Sequence, residues 1–411
     1  MVPPRIFAAM STKTIHLPAS KSLANRALIV QALAPAGAVA LDNLSAAQDT
    51  QTLRRLLGEV TDGATLDVGP AGTTFRFLTA YLCTRPGTQV LTGSERMLQR
   101  PCAPLVDGLR QLGAEVTYLG EEGFPPLRIG GFGPAGGAQC TVAGDISSQF
   151  LSALLLIGPV LPNGLTLHWT GELVSRPYLE MTVALMRRFG ADVRVDARAV
   201  HVAAQPYRGG DYTVESDWSA ASYAAAWTAV QPIGTEVHCS SLYDVSLQGD
   251  RVTADLIASW GVETDFDEAG ARFRKTHDAP PAHWEYNFEA CPDLAQTFSV
   301  LAAVTGTTAL MTGLRTLKIK ETDRVAALQA ELAKVGVFLS RLPEKFTPGS
   351  AEEHYLQEGQ ASWAGTVEIG TYHDHRMAMA FALLRTVGGV RFEDGGVVGK
   401  SWPGFWGEMG Y

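Results

Sequence analysis

Three things are scarce in this 411-residue sequence, and each closes off a class of function. Cysteine is rare. Cys83, Cys102, Cys140, Cys239 and Cys291 lie far apart, with no CxxC pair and no Cys–His spacing suited to zinc, so they read as reduced core thiols. Positive charge is short as well: 33 Lys and Arg face 42 Asp and Glu, a net charge of −9. That balance argues against a nucleic-acid partner, and any anionic ligand must be held by a local cluster of cations. Long apolar runs are missing too. "FLSALLLIGPVLPNGL" is too short and too broken by Gly and Pro to cross a bilayer, and "MVPPRIFAAM" lacks a signal peptide's apolar stretch. A cytoplasmic protein without a membrane partner is expected. The rest of the composition, 46% apolar and 18% charged, is that of a globular chain, and the length predicts two domains.

The sequence repeats itself. "LVDGLRQLGAEV" (105–116), "MTVALMRRFGADV" (181–193), "VTADLIASWGVET" (252–264) and "LQAELAKVGVFL" (328–339) share an amphipathic helix, a Gly at its end and a short strand, and "QTLRRLLGEV" (51–60) is a shorter version. Before each stands a second kind of helix, polar at its start and apolar on most faces, in "SLANRALIVQALAPAG", "TTFRFLTAYLCTRPG", "SSQFLSALLLIGPVLPNG", "WSAASYAAAWTAVQPIG", "DLAQTFSVLAAVTG" and "HRMAMAFALLRTVGG". Helices apolar nearly all round are buried ones. Six copies of a buried helix, strand, surface helix, strand unit result, the sixth cut short by "SWPGFWGEM", which suggests three per domain.

Polar residues gather at the helix starts. "SKS" (20–22), "GPAGTT" (69–74), "SSQ" (147–149), "PD" (292–293) and "DHR" (374–376) open buried helices, Ser20 reading as the cap of the first. "SERM" (94–97), "SRPY" (175–178), "KETDR" (320–324) and "GKSWPG" (399–404) lie by the surface helices. Helix N-termini offer free N–H groups and a positive potential to anions. Lys21, Arg26, Arg96, Lys320, Arg324, Arg376 and Lys400 add full charges, an arrangement expected to repel itself until polyanions fill it.

Eight stretches, in order, carry a specific resemblance: "ASKSLANRAL", "AGTTFRF", "LTGSERMLQRP", "DISSQFLSALL", "SRPYLEMT", "PDLAQTF", "LKIKETDR" and "YHDHRMAMAFAL". From about residue 14 onward the sequence resembles the 5-enolpyruvylshikimate-3-phosphate (EPSP) synthase family of enolpyruvyl transferases. The resemblance implies two inverse α/β globules, each of three repeated β-α-β-α-β-β units around buried parallel helices. Residues 1–19 and 215–411 would form one globule and 20–214 the other, with the active site in the cleft between them. It implies transfer of the enolpyruvyl group of phosphoenolpyruvate to the 5-hydroxyl of shikimate 3-phosphate through a tetrahedral intermediate, in a monomer that needs neither cofactor nor metal.

Joining an alcohol to C2 of an enol phosphate needs a proton delivered to C3 and one taken from the hydroxyl, and elimination reverses that traffic. The resemblance makes Asp293 the base near the 5-hydroxyl, and gives Lys21 and Glu321 the protons near the methylene. Lys21 among cations is expected to have a lowered pKa, and Glu321 among cations to stay ionised. Shikimate 3-phosphate falls to Ser22, Arg26, Ser147, Ser148, Gln149, Ser175, Tyr178, Asp293 and Lys320. Phosphoenolpyruvate, whose site the herbicide glyphosate occupies in this family, falls to Lys21, Gly72, Arg96, Gln149, Arg324, Arg376 and Lys400.

Each residue has a plainer reading. Ser22 and Ser147 could be helix caps, "KETDR" a solvated ion-pair face, and His373 with His375 a metal pair, though no third ligand is near in sequence. A UDP-N-acetylglucosamine enolpyruvyl transferase would carry a reactive cysteine at the position of "SERM"; Cys102, after Pro101, lies six residues beyond Arg96. A non-catalytic phospholigand-binding protein would explain the cations but not Asp293 and Glu321 among them. The sequence departs from the family's pattern at Pro70, where Asn is common, at Thr316, where many have Asn, and at Trp218, where a small residue is frequent.

Overall fold

The segments apolar on most faces form the helices Lys21–Leu33, Gly72–Leu82, Ser148–Ile157, Trp218–Ala229, Ala295–Thr305 and His375–Phe381. In Ser148–Ile157 every residue but Gln149 is buried, as an all-round apolar sequence requires. The amphipathic segments form the one-sided helices Gln48–Leu57, Ala103–Gln111, Arg176–Arg188 and Arg324–Ala333. The segment after Val252 is shorter than expected: one α-helical turn, Thr253–Leu256, runs into the 3-10 turn Ile257–Trp260. Helix Ala295–Thr305 stops at Gly306, whose φ of 75° lies in the left-handed region that a side chain disfavours. This computed structural model describes residues 12–133, 137–145, 147–347, 349–350 and 352–411.

The strands repeat one plan. Gln139–Ala143 pairs in parallel with Leu165–Thr170 across the helix Ser148–Ile157; after helix Arg176–Arg188 the strands Val193–Val195 and Ala199–Val202 add antiparallel, giving the order first, second, fourth, third. A buried helix joins the parallel pair because parallel strands cannot be linked by a tight turn. Three further four-stranded sheets repeat this order, built on the parallel pairs Thr65–Asp67 with Gln89–Thr92, Thr12–Ile15 with Glu236–Ser240, and His283–Asn287 with Thr308–Thr312. The last repeat is reduced to the parallel pair Thr366–Ile369 with Gly389–Phe392, as expected. The first is reduced as well, which the sequence did not suggest: among the described residues Val39–Asp42 pairs only with Gly210–Thr213, which arrives from the far end of the same unit.

Two compact units result, one of residues 12–18, Ser216–Ser246 and Asp250–Tyr411, the other of Ala19–Glu215 with Leu247–Gly249. Each contains two four-stranded sheets and one parallel pair. At the chain crossings, Ser20 N–H donates to Glu215 O at 2.8 Å within the second unit and Asp217 N–H to Pro18 O at 2.9 Å within the first. The first unit has an aromatic core. Trp218, Trp260, Phe273, Phe288 and Phe298 are fully buried, and Trp260 packs edge-on to Trp284 with centroids 5.1 Å apart. Trp218, whose bulk stood out in the sequence, packs against Phe266 and Phe273. The core of the second unit is mainly aliphatic, with Leu53, Leu105, Leu151, Leu154 and Leu155 around Phe77 and Phe150. Among the described residues no helix is long and apolar enough to cross a membrane.

Candidate active site

In the first unit the polar helix starts converge on one arginine. Asp323 caps the helix Arg324–Ala333 by accepting from Val325 and Ala326 N–H, which turns Arg324 inward from the first helical position. Arg324 is 2% exposed at its side chain and touches three carboxylates: Asp374 Oδ2 from Nε at 2.7 Å, Asp293 Oδ1 from Nη1 at 2.9 Å and Glu321 Oε2 from Nη2 at 2.8 Å. Asp374 also caps the helix His375–Phe381, accepting from Arg376 N–H at 2.9 Å. Arg376 reaches back to Asp293 Oδ2 at 2.9 Å, and Lys400 Nζ holds Glu321 Oε1 at 3.0 Å. Lys320 Nζ stands 4.0 Å from Asp293.

This corrects the expectation of self-repelling cations. In this unit Asp293, Glu321 and Asp374 thread between Lys320, Arg324, Arg376 and Lys400, so the charges are interleaved before any substrate arrives. It also removes the reading of "KETDR" as a solvated face. Burial pushes the Asp293 carboxyl up, but Arg376, Lys320 and Arg324 outweigh it and hold it well below the usual carboxylate range. Burial lowers Lys320, with Asp293 opposing, and Arg324 is raised because its three carboxylates overcome its burial.

One neighbour of this network was not anticipated. Asp250 is buried and accepts a short hydrogen bond from Ser219 Oγ, which is also 3.4 Å from Arg376 Nη2. Burial first, then the negative charge of Asp293, pushes Asp250 up to about 7, against Arg376 and the Ser219 hydrogen bond. A carboxyl raised in the folded chain stabilises it fully below its unfolded value, and that contribution is lost as pH rises toward about 7. Asp250→Asn, which cannot ionise, should therefore gain melting temperature over the wild type as pH is raised from about 4 to about 8. Thermal unfolding at a series of pH values checks this; a gap that stays constant contradicts it.

In the second unit, Lys21 opens the helix Lys21–Leu33, and its Nζ lies 3.3 Å from Asp49 Oδ2 on the helix Gln48–Leu57. A carboxylate is thus a neighbour of Lys21, and it offsets the unfavourable end of the helix dipole. Ser20 holds the cap position without a side-chain capping bond, contrary to expectation; its backbone N–H is engaged in the crossing. Ser22 is half-buried at this helix start. Arg26 is 1% exposed and braces three helices, donating to Ser22 O at 2.8 Å, Thr182 Oγ1 at 2.7 Å, Ser152 Oγ at 3.1 Å and Tyr178 O at 3.4 Å. Burial pushes it down to about 10.

Ser147 caps the helix Ser148–Ile157 through the N–H of Gln149, and Ser148 is buried beside it. Gln149 bridges to the helix Gly72–Leu82, donating to Thr73 Oγ1 at 3.2 Å and accepting from Arg76 Nη1 at 2.8 Å. Ser175 is buried with a left-handed φ of 55° ahead of the helix Arg176–Arg188, which carries Tyr178. Arg96 is exposed on the short helix Glu95–Leu98, with Nη1 3.4 Å from Gln99 Oε1.

A model of the family described as EPSP synthase (3-phosphoshikimate 1-carboxyvinyltransferase) matches residues 53–409. The chain belongs to the EPSP synthase family. A 3-phosphoshikimate 1-carboxyvinyltransferase of Bacteroides fragilis is 44% identical over 405 residues, covering 96% of this chain and 94% of the relative. One of a Shewanella species, strain MR-7, is 36% identical over 424 residues, 96% of this chain and 95% of that one. An EPSP synthase structure from Acinetobacter baumannii, 20% identical, superposes with a TM-score of 0.76 over 97% of this chain and 95% of that one, which shows the fold. As an EPSP synthase family member the chain transfers the enolpyruvyl group of phosphoenolpyruvate to shikimate 3-phosphate, a step of the shikimate pathway toward aromatic amino acids. Cys102 offers no reactive thiol of the UDP-sugar type: it is buried, its Sγ donates to Gly123 O at 3.4 Å, and burial pushes it up to about 12.

Asp374, Asp49, Asp250, Arg76 and Arg100 join these clusters without standing among the residues expected from the sequence. Asp374 had a signal, since an Asp before a buried helix that carries an inward Arg can cap the helix and pair with a neighbouring cation. Asp49 and Asp250 had none, because their partners lie 28 and 31 positions away.

Proposed function

We propose that Asp293, Glu321 and Lys21 move the protons of this transfer, by addition of the 5-hydroxyl to C2 of phosphoenolpyruvate and elimination of phosphate from a tetrahedral intermediate. The observation that carries the assignment is the joint hold of Arg324 on Asp293 and Glu321. Two carboxylates fixed on one buried guanidinium stand a set distance apart, as groups flanking two reacting carbons must. A carboxylate held as low as Asp293 is a weak base in the empty chain. Arrival of the substrate anions on Arg324, Arg376 and Lys320 relaxes that field, so that Asp293 gains basicity when the hydroxyl is in place.

Shikimate 3-phosphate takes Ser22, Arg26, Ser147, Ser148, Gln149, Ser175, Tyr178 and Lys320; hydroxyl and amide groups suit its hydroxyls, and Ser with Lys suits its phosphate. Phosphoenolpyruvate takes Lys21, Gly72, Arg96, Gln149, Arg324, Arg376 and Lys400. A cytoplasmic monomer is the working form. The test is phosphate release from shikimate 3-phosphate and phosphoenolpyruvate in a coupled assay, repeated with Asp293→Asn, which should lose ~10² to 10⁴ in kcat. A variant as active as the wild type overturns the assignment.

Pro70 bears on inhibition. It is exposed in the turn ahead of the helix Gly72–Leu82, and its ring withdraws only its own N–H. An Asn there offers one more donor to a charged ligand, an interaction of roughly 1.5 to 3 kcal/mol. Pro70→Asn should therefore tighten glyphosate inhibition against phosphoenolpyruvate by about ten- to a hundredfold with activity retained. The inhibition constant measured alongside KM checks it; a change below about threefold contradicts it.

A further inference from the structure

The loop that delivers Arg376 is strained. Between the strand Thr366–Ile369 and the helix His375–Phe381 the chain reverses in a tight turn, with Asp374 N–H donating to Thr371 O at 2.8 Å. Both central residues of that turn, Tyr372 and His373, have a φ of 54°. They are the only adjacent pair of left-handed non-glycine residues among the described residues. Two such residues in succession follow the pattern of a type I′ turn, which glycine and asparagine favour and a bulky tyrosine does not. A turn of this kind persists only where its surroundings hold it.

One buried carboxylate holds it. Glu331 is 1% exposed; its Oε1 accepts from the Tyr372 hydroxyl at 2.6 Å, and its Oε2 accepts from Gly370 N–H at 2.9 Å and from Lys334 Nζ at 2.6 Å. Tyr372 is itself 37% exposed, so its hydroxyl rather than its ring anchors it. The three residues are closely fitted: a β-carbon on Gly370 would lie 3.1 Å from Glu331 Oε1 and 3.1 Å from Cε2 of Tyr372.

Glu331 and Arg324 stand two turns apart on one face of the helix Arg324–Ala333. Arg324 takes Asp374 at the end of the turn, and Glu331 takes Gly370 and Tyr372 at its beginning. One helix thus grips the segment from both ends. Asp374 in turn caps the helix His375–Phe381 through Arg376 N–H, and the Arg376 guanidinium meets Asp293 Oδ2 at 2.9 Å. A shift of the turn passes straight to Arg376, because only Asp374 and His375 lie between it and His373.

We propose that Glu331 is a positioning residue for phosphoenolpyruvate binding: by holding the left-handed turn through Tyr372 and Gly370 it sets where the Arg376 guanidinium stands. The proposal rests on the assignment of Arg376 to phosphoenolpyruvate. Glu331 acts through Arg376 and touches no substrate itself.

Steady-state kinetics and thermal unfolding of Tyr372→Phe, Glu331→Gln, Glu331→Ala and Arg376→Gln test this. Tyr372→Phe removes one hydroxyl from a partly exposed ring, so the melting temperature should hold while KM for phosphoenolpyruvate rises roughly two- to tenfold, the order expected of one hydrogen bond. KM for shikimate 3-phosphate should change little. Glu331→Ala should raise KM for phosphoenolpyruvate further, and Glu331→Gln, whose amide oxygen still accepts one of the two bonds to the turn, should fall between Glu331→Ala and the wild type. In the double variant Tyr372→Phe/Glu331→Ala the rise should be smaller than the product of the single effects, since both changes break the same bond. An unchanged KM for phosphoenolpyruvate in Tyr372→Phe, with Arg376→Gln raising it, overturns the positioning role. Both KM values rising together with a lowered melting temperature in Tyr372→Phe would assign Glu331 to structure and overturn it as well. If Arg376→Gln leaves KM for phosphoenolpyruvate untouched, the placement of that substrate at Arg376 fails, and the proposal falls with it.

Discussion

Replacing Lys21 by Met should lower kcat by ~10² to 10⁴, far more than it weakens binding of shikimate 3-phosphate. The Met side chain ends where lysine's Cε would be, with sulfur in place of Cδ and no ammonium group, so packing is little disturbed. What goes is a cation set at the start of the helix Lys21–Leu33 and held 3.3 Å from Asp49 Oδ2. Asp49 is buried, and without its partner it becomes a costly charge, so Lys21→Met alone should also lose stability. The double variant Lys21→Met/Asp49→Asn separates the two effects: it should regain melting temperature and stay inactive. Phosphate release and calorimetric titration of shikimate 3-phosphate, measured on both, decide the matter. A single variant with a tenth of wild-type kcat would show that the ammonium moves no proton.

The second large effect concerns stability. Arg324→Met leaves Asp374, Asp293 and Glu321 facing each other around an apolar side chain at a site where the arginine was 2% exposed. Removing one member of a buried ion pair costs about 3 to 5 kcal/mol, and here three carboxylates lose one partner. A clear fall in melting temperature should accompany loss of activity, larger at neutral pH than in acid, where protonation relieves the stranded carboxylates. Asp374→Asn is the milder change, because Arg324 keeps Asp293 and Glu321. Equal melting temperatures for Arg324→Met and the wild type at neutral pH would mean that the network contributes nothing to the fold.

Much of the architecture was legible because it depends on local pattern. An all-round apolar segment such as "SSQFLSALLLIG" can only be a buried helix, and a Gly-ended amphipathic one such as "MTVALMRRFGADV" a surface helix followed by a strand. The reduction of the first repeat escaped notice because the partner of Val39–Asp42 lies about 170 residues away, at Gly210–Thr213, and strand pairing over such a distance leaves no local signal. The break in the helix after Val252 was hidden for a different reason: "VTADLIASWG" keeps helical periodicity while its backbone tightens into 3-10 turns.

By itself the sequence determined which residue types stand at which helix starts, and with them the family and its chemistry, because caps, glycines and charged side chains act within a turn or two of where they are written. The tertiary structure decided which charges meet. Nothing in the order of residues says that Arg324 is shared by Asp293, Glu321 and Asp374, that Lys21 faces Asp49, or that Arg100 and not Arg96 lies against Gly72. Those pairings depend on distances of a few ångströms between helices far apart in the chain, and in a buried setting such distances determine whether a charge is balanced.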